Sequence, residues 1–116
     1  MKINKFEDII SWQKSKTLTI LIYNTFKNTR DFGFKNQIER ASVSIMNNIA
    51  EGFERKSNKE FVYFLFVAKG SCGEVRSMLY LAKELNKINE KQFDEFYNLS
   101  LEISKLISGL IKSIRT

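Results

Sequence analysis

A chain of 116 residues makes one domain and can bury a single core without help from a metal or a disulfide. Its 43% hydrophobic and 28% charged residues exclude a disordered segment, the absence of proline and the five glycines argue against a β-rich chain, and the single cysteine, Cys72, excludes an internal disulfide and a cysteine-cluster metal site. The formal charge of +6 and pI near 9.5 favour anionic partners, nucleic acid first, with solubility alone as the bland alternative.

The first residues, Met1 to about Glu7, read as a short tail. A first helix is expected over residues 8–28, where Ile9, Trp12, Leu18, Leu21, Ile22 and Phe26 fall close to one stripe. Its Thr, Ile and Tyr residues are β-prone, but a strand of that length is unusual and the period is near 3.6. The turn that follows, Asn28 to Gly33, has Gly33 as the natural residue for a positive φ.

The second helix is expected over residues 34–51, with Gly52 as its C-terminal stop. It obeys two rules at once. Ile38, Ala41, Ile45 and Ile49 recur at steps of three and four and mark a core face. Gln37, Arg40, Ser44, Asn48 and Glu51 recur at similar steps on a neighbouring face, and none of them is apolar. Amides, a hydroxyl and a guanidinium there predict a strip shielded from water. One reading is a hydrogen-bond network inside the bundle, with Arg40 paired to Glu51 or another acid. The other is a subunit interface.

A short polar connection leads to a third helix over residues 58–86, opened by a capping box of Ser57 and Glu60. Phe61, Leu65, Ala68, Cys72, Val75, Leu79 and Ala82 form a heptad seam. Phe64, Val67 and Met78 lie off it and supply a second apolar surface. Each glycine inside a helix costs about 1 kcal/mol relative to alanine. The small patch Ala68, Gly70, Ser71, Cys72 and Gly73 therefore predicts the close approach of another helix. The surplus apolar surface, with Gly70 and Ser71, points to a homo-oligomer.

The last turn, Asn86 to Asn89, carries a variant capping box of Asn89 and Gln92 and a staple of Ile88 against Phe93. The fourth helix, over residues 90–114, is expected to face the core with Phe96, Leu99, Ile103, Leu106, Leu110 and Ile114. Four helices on short connections make an all-α, antiparallel up-down-up-down four-helix bundle spanning residues 1–116.

The sequence holds no histidine, P-loop, dinucleotide fingerprint or nucleophile elbow. The expectation is no enzyme, no catalytic residue, no cofactor and no metal. Cys72, on the seam, reads as a buried small hydrophobe. Arg55, Lys56 and Lys59 beside Phe53 are the candidates for nucleic-acid contact, with Trp12, Phe32 and Phe34 as further rings that could stack on bases or close the core. No helix-turn-helix or other base reader is present. The chain shows no basic-then-apolar leader and no apolar run near the ~20 residues of a membrane span, so the expected location is cytoplasmic and no membrane partner is expected.

A set of motifs adds a resemblance: Phe6-Glu7-Asp8, Trp12-Gln13, Gln37-x-x-Arg40-Ala41, Ser44-Ile45-x-x-Asn48-Ile49-Ala50-Glu51-Gly52, and Glu60-Phe61-x-x-Phe64-Leu65-x-x-Ala68-x-Gly70-Ser71-x-x-Glu74. These resemble the four-helix-bundle proteins encoded in intervening sequences of 23S ribosomal RNA genes, and the chain is similar to accessory proteins of diversity-generating retroelements. The resemblance implies a bundle assembled into a ring, commonly a pentamer, with a basic surface. For the retroelement branch it implies a reverse transcriptase and nucleic acid as partners. It makes Gln37, Arg40, Asn48 and Glu51 structural or interfacial. Met46 stands where the family usually has proline, Glu39 where many members have a second basic residue, and Gly73 loosens the third helix. The functional expectation is a self-assembling basic bundle that contacts RNA or DNA, in the finest form as an accessory factor to a reverse transcriptase. The alternative is a purely structural protein–protein adaptor.

Overall fold

A computed structural model describes residues 3–115. A single 3-10 turn, Phe6–Asp8, precedes four helices: α1 (Ile10–Phe26), α2 (Phe32–Phe53), α3 (Asn58–Glu84) and α4 (Glu90–Arg115). No strand occurs among the described residues. α3 has 27 residues, and at 1.5 Å rise per residue its length of about 40 Å accounts for the 43 Å long axis. Each helix packs on its two neighbours, α1 and α3 both on α2 and α4, which is the square of a four-helix bundle. At one end Phe26 meets Phe34 edge-on and Lys87 reaches Asp31; at the other Phe53 meets Phe61, and Ile3, Phe53, Asn58 and Ser113 line one cavity. Consecutive helices therefore run in opposite directions.

All seven seam residues of α3 are buried, as are Ile38, Ala41, Ile45 and Ile49 of α2. Core positions of α1 are Leu18, Ile22 and Phe26, with Trp12 and Leu21 packed partly against them. α4 is turned from the stripe read in the sequence. Phe93, Phe96, Ser100, Ile103, Ser104, Ile107 and Ile111 face inward, while Leu99, Leu106, Leu110 and Ile114 are half-buried at its margin. Serines at two inward positions let α4 lie close to its neighbours, and a pattern search for large apolar residues passes over them.

The start of the chain is packed rather than a free tail. Met1 and Lys2 lie outside the described residues, but Ile3 and Phe6 pack against the core, and Phe6 meets Trp12 at 5.2 Å between ring centroids. Three glycine expectations are also corrected. Gly33 lies inside the first turn of α2 and no glycine has a positive φ; the left-handed residue is Asn86, after α3. α2 begins instead where the Asp31 carboxylate accepts the Phe34 N–H at 3.2 Å.

Gly52 does not stop α2, which continues to Phe53. A Cβ at Gly52 would stand 2.6 Å from the Phe64 Cβ and 3.1 Å from the Phe61 ring, so the missing side chain is what lets α2 and α3 cross here. The close approach expected at Gly70 is absent in the protomer, where nothing lies within 4 Å of that position.

The capping signals hold with one change. Asn89 and Gln92 exchange both bonds, at 2.8 and 3.0 Å. Ser57 Oγ accepts the Glu60 N–H, but the Glu60 carboxylate takes the Ser57 hydroxyl rather than its backbone N–H.

Two outcomes are expected in denaturant melts. Gly52→Ala lowers stability by about 1–3 kcal/mol, because the α2–α3 crossing must open, whereas Gly70→Ala raises it by up to about 1 kcal/mol through helix propensity in the isolated protomer. The second concerns pH. The Phe34 N–H and the Lys87 ammonium hold the Asp31 carboxyl below its ordinary value of 3.8. Its contribution is therefore present above the unfolded value and fades as pH falls through the folded one. Asp31→Asn flattens that acid limb of the melting midpoint and leaves the neutral-pH dependence unchanged.

Candidate assembly and nucleic-acid surfaces

With the isoleucines of α2 in the core, the polar strip lands on the rim facing α3 rather than inside the bundle. Gln37, Arg40 and Glu51 are exposed, and Ser44 and Asn48 are half-buried. The internal-network reading is thereby overturned: among the described residues Arg40 has no ion pair, and Glu51 pairs with Arg55 at 3.6 Å. What remains is a thin set of hydrogen bonds, two to α3 and two within α2. Ser44 and Ser71 hydroxyls meet at 2.9 Å, Asn48 donates to the Ser44 carbonyl at 2.8 Å and hydroxyl at 3.0 Å, and Gln37 donates to the Glu74 carboxylate at 3.4 Å.

Together these residues wall an open cleft of about 550 Å³, lined by Gly33, Asn36, Gln37, Arg40, Ser44 and Glu74. Arg40 and Glu74 share this cleft without forming a pair. Beside it runs the outer face of α3, where Val67, Gly70, Glu74, Leu81 and Leu85 follow one another at helical spacing and are all exposed. Glu39 is buried, and Ser42 donates back to its carbonyl at 2.8 Å.

The second candidate surface lies at the end where α2 stops and α3 begins. Arg55 is held between Glu51 and Glu60, at 3.6 and 3.8 Å, and stacks its guanidinium over Phe64 at 4.8 Å. Its charge is largely answered locally. Lys56 and Lys59 are exposed, and neither has an ion pair among the described residues. Phe53 is half-buried against Phe61 at 5.8 Å and so closes the core; Phe34 is buried on Phe26. Phe32 is the one ring of the four proposed for stacking that is exposed, and it sits at the opposite end.

The structure places two open rings at the basic end that the sequence reading passed over. Tyr63 and Phe66 are exposed, and they line a groove of about 480 Å³ with Lys59 and Arg115. The available signal was their i, i+3 spacing off the α3 seam, which an account centred on the seam leaves unread.

Cys72 is fully buried, and desolvation pushes its thiol up to about 12, so it stays protonated at neutral pH. Inside the bundle its carbonyl accepts the Ser100 hydroxyl at 3.2 Å, and Arg76 reaches the same hydroxyl at 3.3 Å. Among the described residues no group of three or more Cys, Asp or Glu side chains is placed to hold a metal ion, and no helix is long and apolar enough to cross a membrane.

Among curated proteins none matches this chain. A crystal structure of a protein with unknown function from the S23 ribosomal protein family of Bacteroides thetaiotaomicron VPI-5482 is similar, with a TM-score of 0.83 and 28% identity. The match covers 89% of this chain and 99% of that one. The family described as 23S rRNA-intervening sequence protein matches residues 7–109, nearly the whole bundle with its polar strip and its basic end. The chain belongs to the 23S rRNA-intervening sequence protein family.

Proposed function

We propose that this protein is a non-enzymatic, self-assembling helical bundle that presents basic residues to RNA or DNA. The observation that carries the assembly is the open cleft between α2 and α3. An arginine and a glutamate line it with no ion pair among the described residues. Beside them exposed Val67, Leu81 and Leu85 share a face of α3 with Glu74 and with Gly70, where an added Cβ would meet no atom of another helix within 4 Å. Gly70 carries its helix-propensity cost with no close neighbour inside the protomer. A second copy pressed against this face offsets that cost, covers Leu81, and supplies counter-charges to Arg40 and Glu74. The resemblance to ring-forming relatives suggests five copies.

The nucleic-acid part is supported by the +6 charge and by the unpaired cations Lys56 and Lys59. A reverse transcriptase as protein partner rests on the resemblance to retroelement accessory proteins. The competing reading, a structural adaptor whose charge only solubilises it, predicts no binding of nucleic acid at physiological salt.

Native mass spectrometry of the purified protein is expected to show a closed oligomer that Gly70→Leu and Leu81→Asp dissociate. Arg40→Ala weakens that oligomer while changing the stability of the dissociated protomer by less than about 0.5 kcal/mol, since it removes an exposed, unpaired side chain. A wild-type protein that remains monomeric at all concentrations rejects the assembly. In a salt titration of RNA binding, log affinity is expected to fall linearly with log salt, with a slope of about −0.7 per phosphate contacted on a single strand. No binding at low salt leaves the adaptor reading standing.

A further inference from the structure

We propose that the groove between the first turns of α3 and the end of α4 binds a single strand of RNA or DNA, with Tyr63 and Phe66 as the platform on which its bases stack. This rests on the nucleic-acid reading above and assigns it a location and a type of strand.

The geometry starts from helical spacing. Residues three apart lie side by side on one face, which places the rings of Tyr63 and Phe66 together on the outside of α3. Tyr63 is 64% exposed and Phe66 45%. Both rings are braced. Phe64 meets Tyr63 edge-on at 5.4 Å, and the Arg115 guanidinium stands 5.3 Å from the Phe66 ring centre. A guanidinium plane is itself a surface on which bases stack. The groove of about 480 Å³ falls within the size range of ligand clefts.

Charge then selects the occupant. Lys59 and Arg115 stand in the groove wall, which among the described residues contains no carboxylate. A neighbouring cavity of about 310 Å³ shares Asn58 and Ile114 with it and is lined by Arg55 and Lys56, again without a carboxylate. Glu51 and Glu60 at this end are engaged by Arg55, and the exposed Glu54 lines neither cavity. Two open rings thus lie beside three cations with no ion pair among the described residues, Lys56, Lys59 and Arg115, with the already paired Arg55 next to them. A duplex hides the faces of its bases, so only unpaired bases can use the rings, while phosphates follow the cations. A second copy of this chain, itself carrying +6, brings no surplus of negative charge to such a groove.

Fluorescence anisotropy on the full chain tests this with labelled oligouridylate, oligothymidylate and a blunt duplex of equal length. The single strands are expected to bind more tightly than the duplex. The double variant Tyr63→Ala/Phe66→Ala is expected to lose about tenfold or more in single-strand affinity. Its salt slope and duplex binding stay unchanged, and circular dichroism shows an intact bundle. Tyr63→Trp/Phe66→Trp retains the affinity, because a larger ring still stacks. Lys56→Ala/Lys59→Ala weakens both probes and lowers the salt slope by about 1–2. Wild-type affinity in the alanine ring variant, or a preference for duplex, overturns the groove and leaves nucleic-acid binding in place. Failure of every probe to bind overturns both. A change of oligomer mass in the ring variant assigns the groove to a neighbouring copy and also overturns it.

Discussion

The crossing of α2 over α3 is the constraint on which the rest of the molecule depends. At Gly52 the two backbones come so near that a single methyl group would stand 2.6 Å from the Phe64 Cβ. That contact holds the helices at a separation where Ile38, Ile45 and Ile49 on one side and Leu65, Ala68, Cys72 and Val75 on the other all lose contact with water. It also fixes the rotation of α2 about its own axis. Once the isoleucines face inward, Gln37, Arg40, Ser44 and Glu51 must emerge along the border with α3. A polar strip that would be costly inside a core is thereby kept at the rim, tied to α3 among the described residues by Ser71 and Glu74.

The interior tolerates more hydroxyls than a four-helix bundle of leucines and isoleucines requires. Ser15 and Thr19 return their hydrogens to carbonyls one turn back, at 2.6 and 2.8 Å, and Thr19 also reaches the Ser42 carbonyl at 3.2 Å. Ser100 does the same across to α3. Each hydroxyl is satisfied by backbone, so its burial costs little, and its small volume brings helices together. Among the described residues only the Ser11 hydroxyl is buried without a partner.

The two candidate surfaces occupy different parts of the bundle. The cleft of Arg40 and Glu74 begins in the half of α2 near Gly33, whereas the basic groove is built where α2 ends, α3 starts and α4 finishes. A protomer can therefore be covered along one flank by its neighbours and still offer its end to a strand.

The sequence by itself determined the four helices, the α3 seam and the inward face of α2, since those follow from local spacing of large apolar residues, while the 3-10 turn Phe6–Asp8 went unread. It also determined the capping of α3 and α4, which involves residues three apart. The tertiary structure decided what spacing cannot encode. The inward face of α4 includes Ser100 and Ser104, which become core residues only because α3 approaches them closely. The meaning of each glycine depended on what lies across from it: Phe64 for Gly52, open space for Gly70. The polar strip was visible as a pattern, but whether water, another helix or another chain meets it depends on the packing of α3. Lys59 lies one turn before Tyr63 on the same helix, but the groove closes only when the chain folds back to place Arg115 beside Phe66, 49 residues after it in the sequence.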